Sequence, residues 1–75
     1  MILTIGQLAQ IARSGGGLSL DASQFTFNQL AQVLEAAQAG AKASISLHNI
    51  AGLNANQLAA LAVLAPGLVS FEVSA

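Results

Sequence analysis

Along this chain of 75 residues, segments in which hydrophobic residues recur at helical spacing alternate with short segments in which they recur at every second residue. In the best-defined segment, Phe27, Leu30 and Leu34 recur at helical spacing among polar residues, which predicts an amphipathic helix. Similar spacing predicts helices over about 5–14, 27–39 and 55–65. Each is followed by a short stretch in which apolar residues alternate with serine, as in a strand with one buried face. The predicted strands are Leu18–Leu20, Ile45–Leu47 and Val69–Val73.

The three predicted helices begin with a similar seven-residue phrase, which divides the chain into units. The phrase reads LTIGQLA, FTFNQLA and LNANQLA from residues 3, 25 and 53, so its offsets are 22 and 28 residues. Repeats of this length bury their apolar faces only by stacking on neighbouring repeats. Each phrase also supplies a helix N-cap, whose side-chain oxygen accepts a hydrogen bond from a free amide of the first turn. The predicted N-caps are Thr4, Thr26 and Asn54.

The alternation of helix and strand predicts the α/β class. Strands separated by a helix are expected to run parallel, with right-handed crossovers. We therefore predict a single domain, residues 1–75, with a short parallel three-stranded sheet and all helices on one face. The three helix–strand repeats are placed at about 1–22, 23–49 and 50–75 and should form a solenoid-like stack. The uncovered face of the sheet should display Ser19, Ser46, Ser70 and Glu72.

The second and third repeats carry a further pattern, in which a strand is followed by asparagine and then by spaced leucines. Its positions are Ile45-Ser46-Leu47-His48-Asn49, Leu53, Leu58, Leu61, Pro66-Gly67-Leu68 and Phe71. This pattern resembles the leucine-rich repeat family, particularly its ribonuclease-inhibitor-like type, whose units pair a short strand with a helix. The first repeat departs from it, with Asp21 and Ala22 in place of His48 and Asn49. The resemblance implies a protein that binds or scaffolds other macromolecules and is not an enzyme.

Charge is scarce in this chain. Charged residues make up 7% of the sequence and hydrophobic residues 55%, whereas charged residues average about 25% of soluble domains. This composition favours a surface that meets another protein chain or lipid. A transmembrane segment is disfavoured, because the longest apolar run, Leu58–Ala65, is far shorter than the ~18 residues required. Nucleic acid is disfavoured as a partner, because the chain has two basic residues and neither Trp nor Tyr.

The predicted repeats have no polar capping unit at either end. Solenoids usually close with such units, yet the chain opens on Met1-Ile2-Leu3, and the edge strand Val69–Val73 is largely apolar. An unpaired edge of this kind is an aggregation hazard in a monomer. The spacing of strand and phrase nearly continues when a second copy is written after Ala75, which predicts head-to-tail assembly into filaments or other homo-oligomers. The predicted interface residues are Met1, Leu3, Leu8, Val69, Phe71 and Val73.

The third helix suggests another contact. Ala60 and Val63 occupy positions that Gln32 and Glu35 hold in the second helix. Either they are single exposed apolar residues, which are common and need no explanation, or this flank meets a second chain laterally. We include Ala60 and Val63 among the predicted interface residues.

Two other functions remain compatible with the sequence. One is a protein-binding segment of a larger leucine-rich-repeat-like protein. The other is a small secreted membrane-active peptide, if Gly15-Gly16-Gly17 marks the end of a double-glycine leader. The first residues lack the basic region of a secretory signal, which favours the cytoplasm by default, and an extracellular filament is also compatible.

Candidate chemistry is confined to one row of side chains. Asp21, His48 and Glu72 are expected in register at the ends of adjacent strands, which lie about 4.8 Å apart. No nucleophile turn or oxyanion hole is indicated, so we predict no enzyme. The chain has one His and no Cys, so we predict no metal site and no cofactor. The simplest interpretation is a turn with local hydrogen bonds. The row is also a candidate pH-sensitive cluster, because carboxylates beside His48 favour its protonated form, and assembly would then weaken above neutral pH.

Overall fold

The computed structural model describes residues 4–73, in which three helices alternate with three strands. The helices are α1 (Ile5–Arg13), α2 (Phe27–Ala39) and α3 (Ala55–Leu64), and the strands are β1 (Leu18–Asp21), β2 (Ile45–His48) and β3 (Val69–Phe71). The predicted order is confirmed, although β3 ends before the predicted Val73. Short 3₁₀ helices, Ala22–Gln24 and Ile50–Gly52, follow β1 and β2, and the sequence pattern does not predict them.

Each helix begins with a reciprocal pair of hydrogen bonds that the recurring phrase encodes. In α1 the Gln7 N–H donates to Thr4 Oγ1 at 3.2 Å, and the Thr4 N–H donates to Gln7 Oε1 at 2.8 Å. Such a capping box satisfies two amides that would otherwise be free, which explains why glutamine recurs three positions after the N-cap. The other capping boxes are formed by the pairs Thr26 and Gln29, and Asn54 and Gln57.

The three strands form one parallel sheet in the order β1, β2, β3. Ile45 lies between Leu18 and Val69 across the sheet, and it is fully buried, with 0% of its surface exposed. The next residue, Ser46, is exposed, and its Oγ lies 3.1 Å from the Oγ of Ser70. One face of the sheet is therefore buried and the other carries the exposed hydroxyl groups predicted from the sequence, which belong to Ser19, Ser46 and Ser70.

The helices cover the buried face of the sheet, and side chains from both layers form one hydrophobic core. α2 contributes most to it and packs between α1 and α3. Its Leu30, Val33 and Leu34 are 1%, 0% and 0% exposed. Within residues 4–73 no polar or charged residue is buried, so burial of apolar surface stabilises this core.

Gly40 ends α2 at the point where the chain passes close to the end of α1. A β-carbon at this position would lie 2.2 Å from the Arg13 carbonyl oxygen and 2.7 Å from the Arg13 α-carbon. The same carbonyl accepts a hydrogen bond from the Ala41 N–H at 3.0 Å. Glycine therefore permits the close approach of the two helix ends.

We expect Gly40→Ala to lower the free energy of unfolding by about 1–3 kcal/mol, the range typical of overpacking. The added methyl group would force the Arg13 backbone away from Ala41. Gly52→Ala is the matched control, because a β-carbon at Gly52 meets nothing within 4 Å. Urea unfolding followed by circular dichroism measures both variants. Equal unfolding midpoints would contradict the close approach at Gly40.

Candidate interaction surface on the third helix and strand

Residues at the same distance from the N-cap differ in exposure between the three helices. Four positions after the N-cap, Leu8 is 5% exposed, Leu30 is 1% exposed and Leu58 is half-buried. α1 packs against α2, and α2 packs against α3, so Leu8 and Leu30 each have a following helix beside them. Within residues 4–73 no helix follows α3, and Leu58 is correspondingly less covered.

Two further positions show the same trend. Five positions after the N-cap, Ala9 is buried, Ala31 is half-buried and Ala59 is exposed. Eight positions after it, burial is complete in α1 and α2 but only partial in α3; these residues are Ala12, Leu34 and Ala62. In α1 and α2, the side that carries these residues lies against the next helix. In α3, the same side carries Leu58, Ala59 and Ala62, and within residues 4–73 no further helix lies beside it.

α3 is apolar on nearly all sides beyond its first turn. After Gln57 it contains no polar or charged residue, yet Leu61 is its single buried residue. A helix that is apolar all round is normally covered all round. Ala60 and Val63, the residues predicted for a lateral contact, are exposed, Val63 to 75%. Within residues 4–73, α3 is therefore less covered than a helix of this composition normally is.

The backbone of β3 has a free edge on the side away from β2. On the β2 side, the Glu72 N–H donates to the Leu47 carbonyl at 2.9 Å. Alternate residues of a strand turn their backbone groups to the same side, so those of Val69 and Phe71 point away from β2. Within residues 4–73 no other strand pairs with this edge. β3 can therefore accept a further parallel or antiparallel strand.

A groove of about 310 Å³ lies between the segment that follows β2, the first turns of α3 and the two residues after β3. Its apolar walls include Ile50, Leu53, Leu58 and Val73, and Val73 is 79% exposed. The groove, the uncovered side of α3 and the free edge of β3 all involve the third helix and strand, and we treat them as one candidate surface. We call it the third-unit surface and define it by Leu58, Ala59, Ala62, Val69, Phe71 and Val73.

The predicted interface residues fall into different places in the structure. Val69, Phe71 and Val73 belong to the third-unit surface, whereas Leu8 does not lie on a surface at all. Leu8 is part of the hydrophobic core, because its position in the phrase faces the sheet and the following helix of the same chain. Met1 and Leu3 lie outside the described residues.

The predicted row of titratable residues forms at the ends of the strands. Asp21 pairs with His48 across β1 and β2. Glu72 directly follows Phe71, which pairs with Leu47, so Glu72 continues the row beyond His48. In the part of the chain that the structure describes, no group of three or more His, Cys, Asp or Glu residues is placed to hold a metal ion.

Asp21 caps the 3₁₀ helix that follows β1. Its carboxylate accepts hydrogen bonds from the Ser23 hydroxyl and from the Ser23 N–H, the latter at 3.0 Å. The bond from the Ser23 hydroxyl is the main cause that holds the pKa of the Asp21 carboxyl below its ordinary value. Desolvation opposes this shift, and Asn49 and the charge on His48 add to it. Asp21 therefore stabilises a local turn, which is the simplest interpretation of the row.

Comparison with models of protein families, with curated proteins and with solved structures gives no match. Of the helices in the described part of the chain, none is both long enough and apolar enough to cross a membrane.

The lowered pKa of Asp21 predicts a loss of stability in acid. Asp21 stabilises the folded chain at pH values where its carboxyl is ionised, and this stabilisation is lost as the pH falls below about 4 through the folded pKa. We expect the unfolding midpoint of Asp21→Asn to fall less steeply with pH than that of the wild type. Ser23→Ala, which keeps the backbone donor, should give an intermediate slope. Thermal unfolding between pH 6 and 2.5 tests this, and parallel curves for all three proteins would contradict it.

Proposed function

We propose that this protein is a structural protein that assembles with copies of itself, head to tail, through the third-unit surface. The observation that carries the proposal is that Ala59 is exposed and Leu58 and Ala62 are only half-buried, at positions that are better covered in the preceding helices. Those positions are covered in α1 because α2 lies beside them. A further helix–strand unit placed beside α3 would cover the third-unit surface in the same way.

The composition of α3 supports this proposal. Its outer sides carry no charge, so a second chain can approach without the cost of desolvating an ion. A domain of this size also buries a smaller fraction of its surface on folding than a large one does. Additional burial between copies would therefore stabilise the folded chain as well as the assembly.

Head-to-tail contacts of this kind join two different surfaces and generate either a ring or an open filament. The three helix–strand units would then be one segment of a longer solenoid-like stack, as the resemblance to leucine-rich repeats implies. A protein-binding segment, which the same resemblance implies, is the alternative function.

We expect Ala59→Lys to weaken self-association at least tenfold, because it places a charge on the uncovered side of α3. Ala60→Lys is the matched control. Ala60 is also exposed. The residues at the same position in the preceding helices, Gln10 and Gln32, are exposed as well, so this side of the helix faces solvent in every unit. Sedimentation velocity over a range of concentrations, with negative-stain microscopy, measures the association.

Loss of association in Ala60→Lys but not in Ala59→Lys would overturn the head-to-tail proposal in favour of lateral contact. A wild-type chain that remains monomeric at high concentration would overturn self-assembly altogether. In that case the protein-binding function becomes the better candidate, and the uncovered sheet face becomes the place to test for it.

A further inference from the structure

The first helix–strand unit has an uncovered side that complements the third-unit surface. Seven positions after the N-cap, Ile11 is half-buried, whereas Val33 and Leu61 are both 0% exposed. Val33 and Leu61 belong to helices that have a preceding helix beside them, and α1 has none within residues 4–73. Ile11 therefore marks the side of a unit that faces the preceding unit.

The strands show the same complementarity. Leu18 is half-buried on β1, although its neighbour Ile45 is 0% exposed on the central strand. The Leu18 N–H donates to the Ser44 carbonyl at 3.2 Å, which turns the backbone groups of Leu18 towards β2. Those of Ser19 consequently point to the free edge of β1. Within residues 4–73, β1 and β3 thus each have one edge that no other strand pairs with.

We propose that the third-unit surface binds the first unit of a second copy, with β1 of that copy added in parallel to β3. This inference rests on the proposed self-assembly and names the partner surface and the register. Val69 would lie opposite Leu18 of the second copy, as Ile45 lies opposite Leu18 within the chain. In the helix layer, α1 of the second copy would pack beside α3. Its Ile11 would then face α3 in the same way that Leu61 of α3 faces α2.

The existing ladder determines the hydrogen bonds of this junction. Within the chain, the Ile45 N–H donates to the Leu68 carbonyl at 2.8 Å. At the junction the Val69 N–H would donate to the Gly17 carbonyl of the second copy, and the Ser19 N–H of that copy would donate to the Val69 carbonyl. Both bonds use backbone groups that have no strand partner within the described residues.

A two-fold pairing of β3 with β3 is the main competing arrangement. It would cover the third-unit surface but would leave Ile11 and Leu18 only half-buried. Head-to-tail pairing covers both open sides of every chain, and it continues the parallel order that β1, β2 and β3 already have. The complementarity of the two sides therefore favours the second copy's first unit as the occupant.

The register can be tested through one pair of like charges. Only in this register does Glu72 stand beside Asp21 of the second copy, and like charges on adjacent strands oppose pairing. Glu72→Gln should therefore tighten assembly roughly twofold to fivefold at low salt. Glu35→Gln, an exposed site on α2, removes the same charge elsewhere and is the control. Equal effects of the two variants, measured by sedimentation, would overturn the register.

The polarity of the junction can be tested with two edge-blocked variants. Val69→Pro removes an N–H from the free edge of β3, and Ser19→Pro removes one from the free edge of β1. Proline is tolerated where the N–H of an edge strand faces solvent, and circular dichroism verifies that each variant folds. We expect each variant alone to be monomeric and an equimolar mixture to form a 1:1 dimer without longer species. Ala59→Lys and Ile11→Lys replace the two variants if proline prevents folding.

The outcomes separate this inference from the proposed function. Dimers of Ser19→Pro alone would show two-fold pairing of β3 and would overturn the polarity while leaving self-assembly intact. Assembly of Val69→Pro to the extent of the wild type would show that copies associate through another surface. A monomeric wild-type chain would overturn both proposals.

Discussion

Coverage of each helix–strand unit by its neighbours is the constraint on which this structure depends. The core contains no polar or charged residue within residues 4–73, and the chain has no cysteine that could form a disulfide. Apolar burial must therefore stabilise the fold. Among the described residues, only the central unit has a neighbour on both sides, and its Val33 and Ile45 are 0% exposed. Leu18 in the first unit and Leu58 in the third are half-buried, so incomplete coverage follows from the arrangement of three units in a row.

The elements could be predicted from sequence because local interactions specify them. The N-cap and the glutamine three positions later form the capping box in each helix, and both residues are visible in the recurring phrase. The strands could be predicted because serine alternates with apolar residues, as at Ser46 between Ile45 and Leu47. Parallel order then follows from the helices between the strands. These features depend on residues that are close in sequence.

The side of each helix that meets a neighbour could not be predicted in this way. Leu8, Leu30 and Leu58 occupy the same place in the phrase, so periodicity assigns all three to the core side. Their different exposure arises from which helix lies beside each, a property of the whole arrangement. For this reason periodicity predicts neither the partial exposure of Leu58 nor the exposure of Ala59, whose small side chain gives no signal of its own. The 3₁₀ helix after β1 is missed because its three residues are too few to show a period.

In the proposed stack, the row of titratable residues would oppose association at each junction. Within one chain His48 lies between Asp21 and the position of Glu72, an arrangement in which a protonated imidazole would attract both neighbours. At a head-to-tail junction the same order would place Glu72 directly beside Asp21 of the second copy, where no histidine intervenes. The hydrogen bonds from Ser23 to the Asp21 carboxylate stabilise one member of that pair in its charged form. Salt would screen the repulsion because these side chains lie at the surface. If the stack forms, its apolar contacts and strand pairing would have to outweigh this repulsion, and the exposed row would modulate the association.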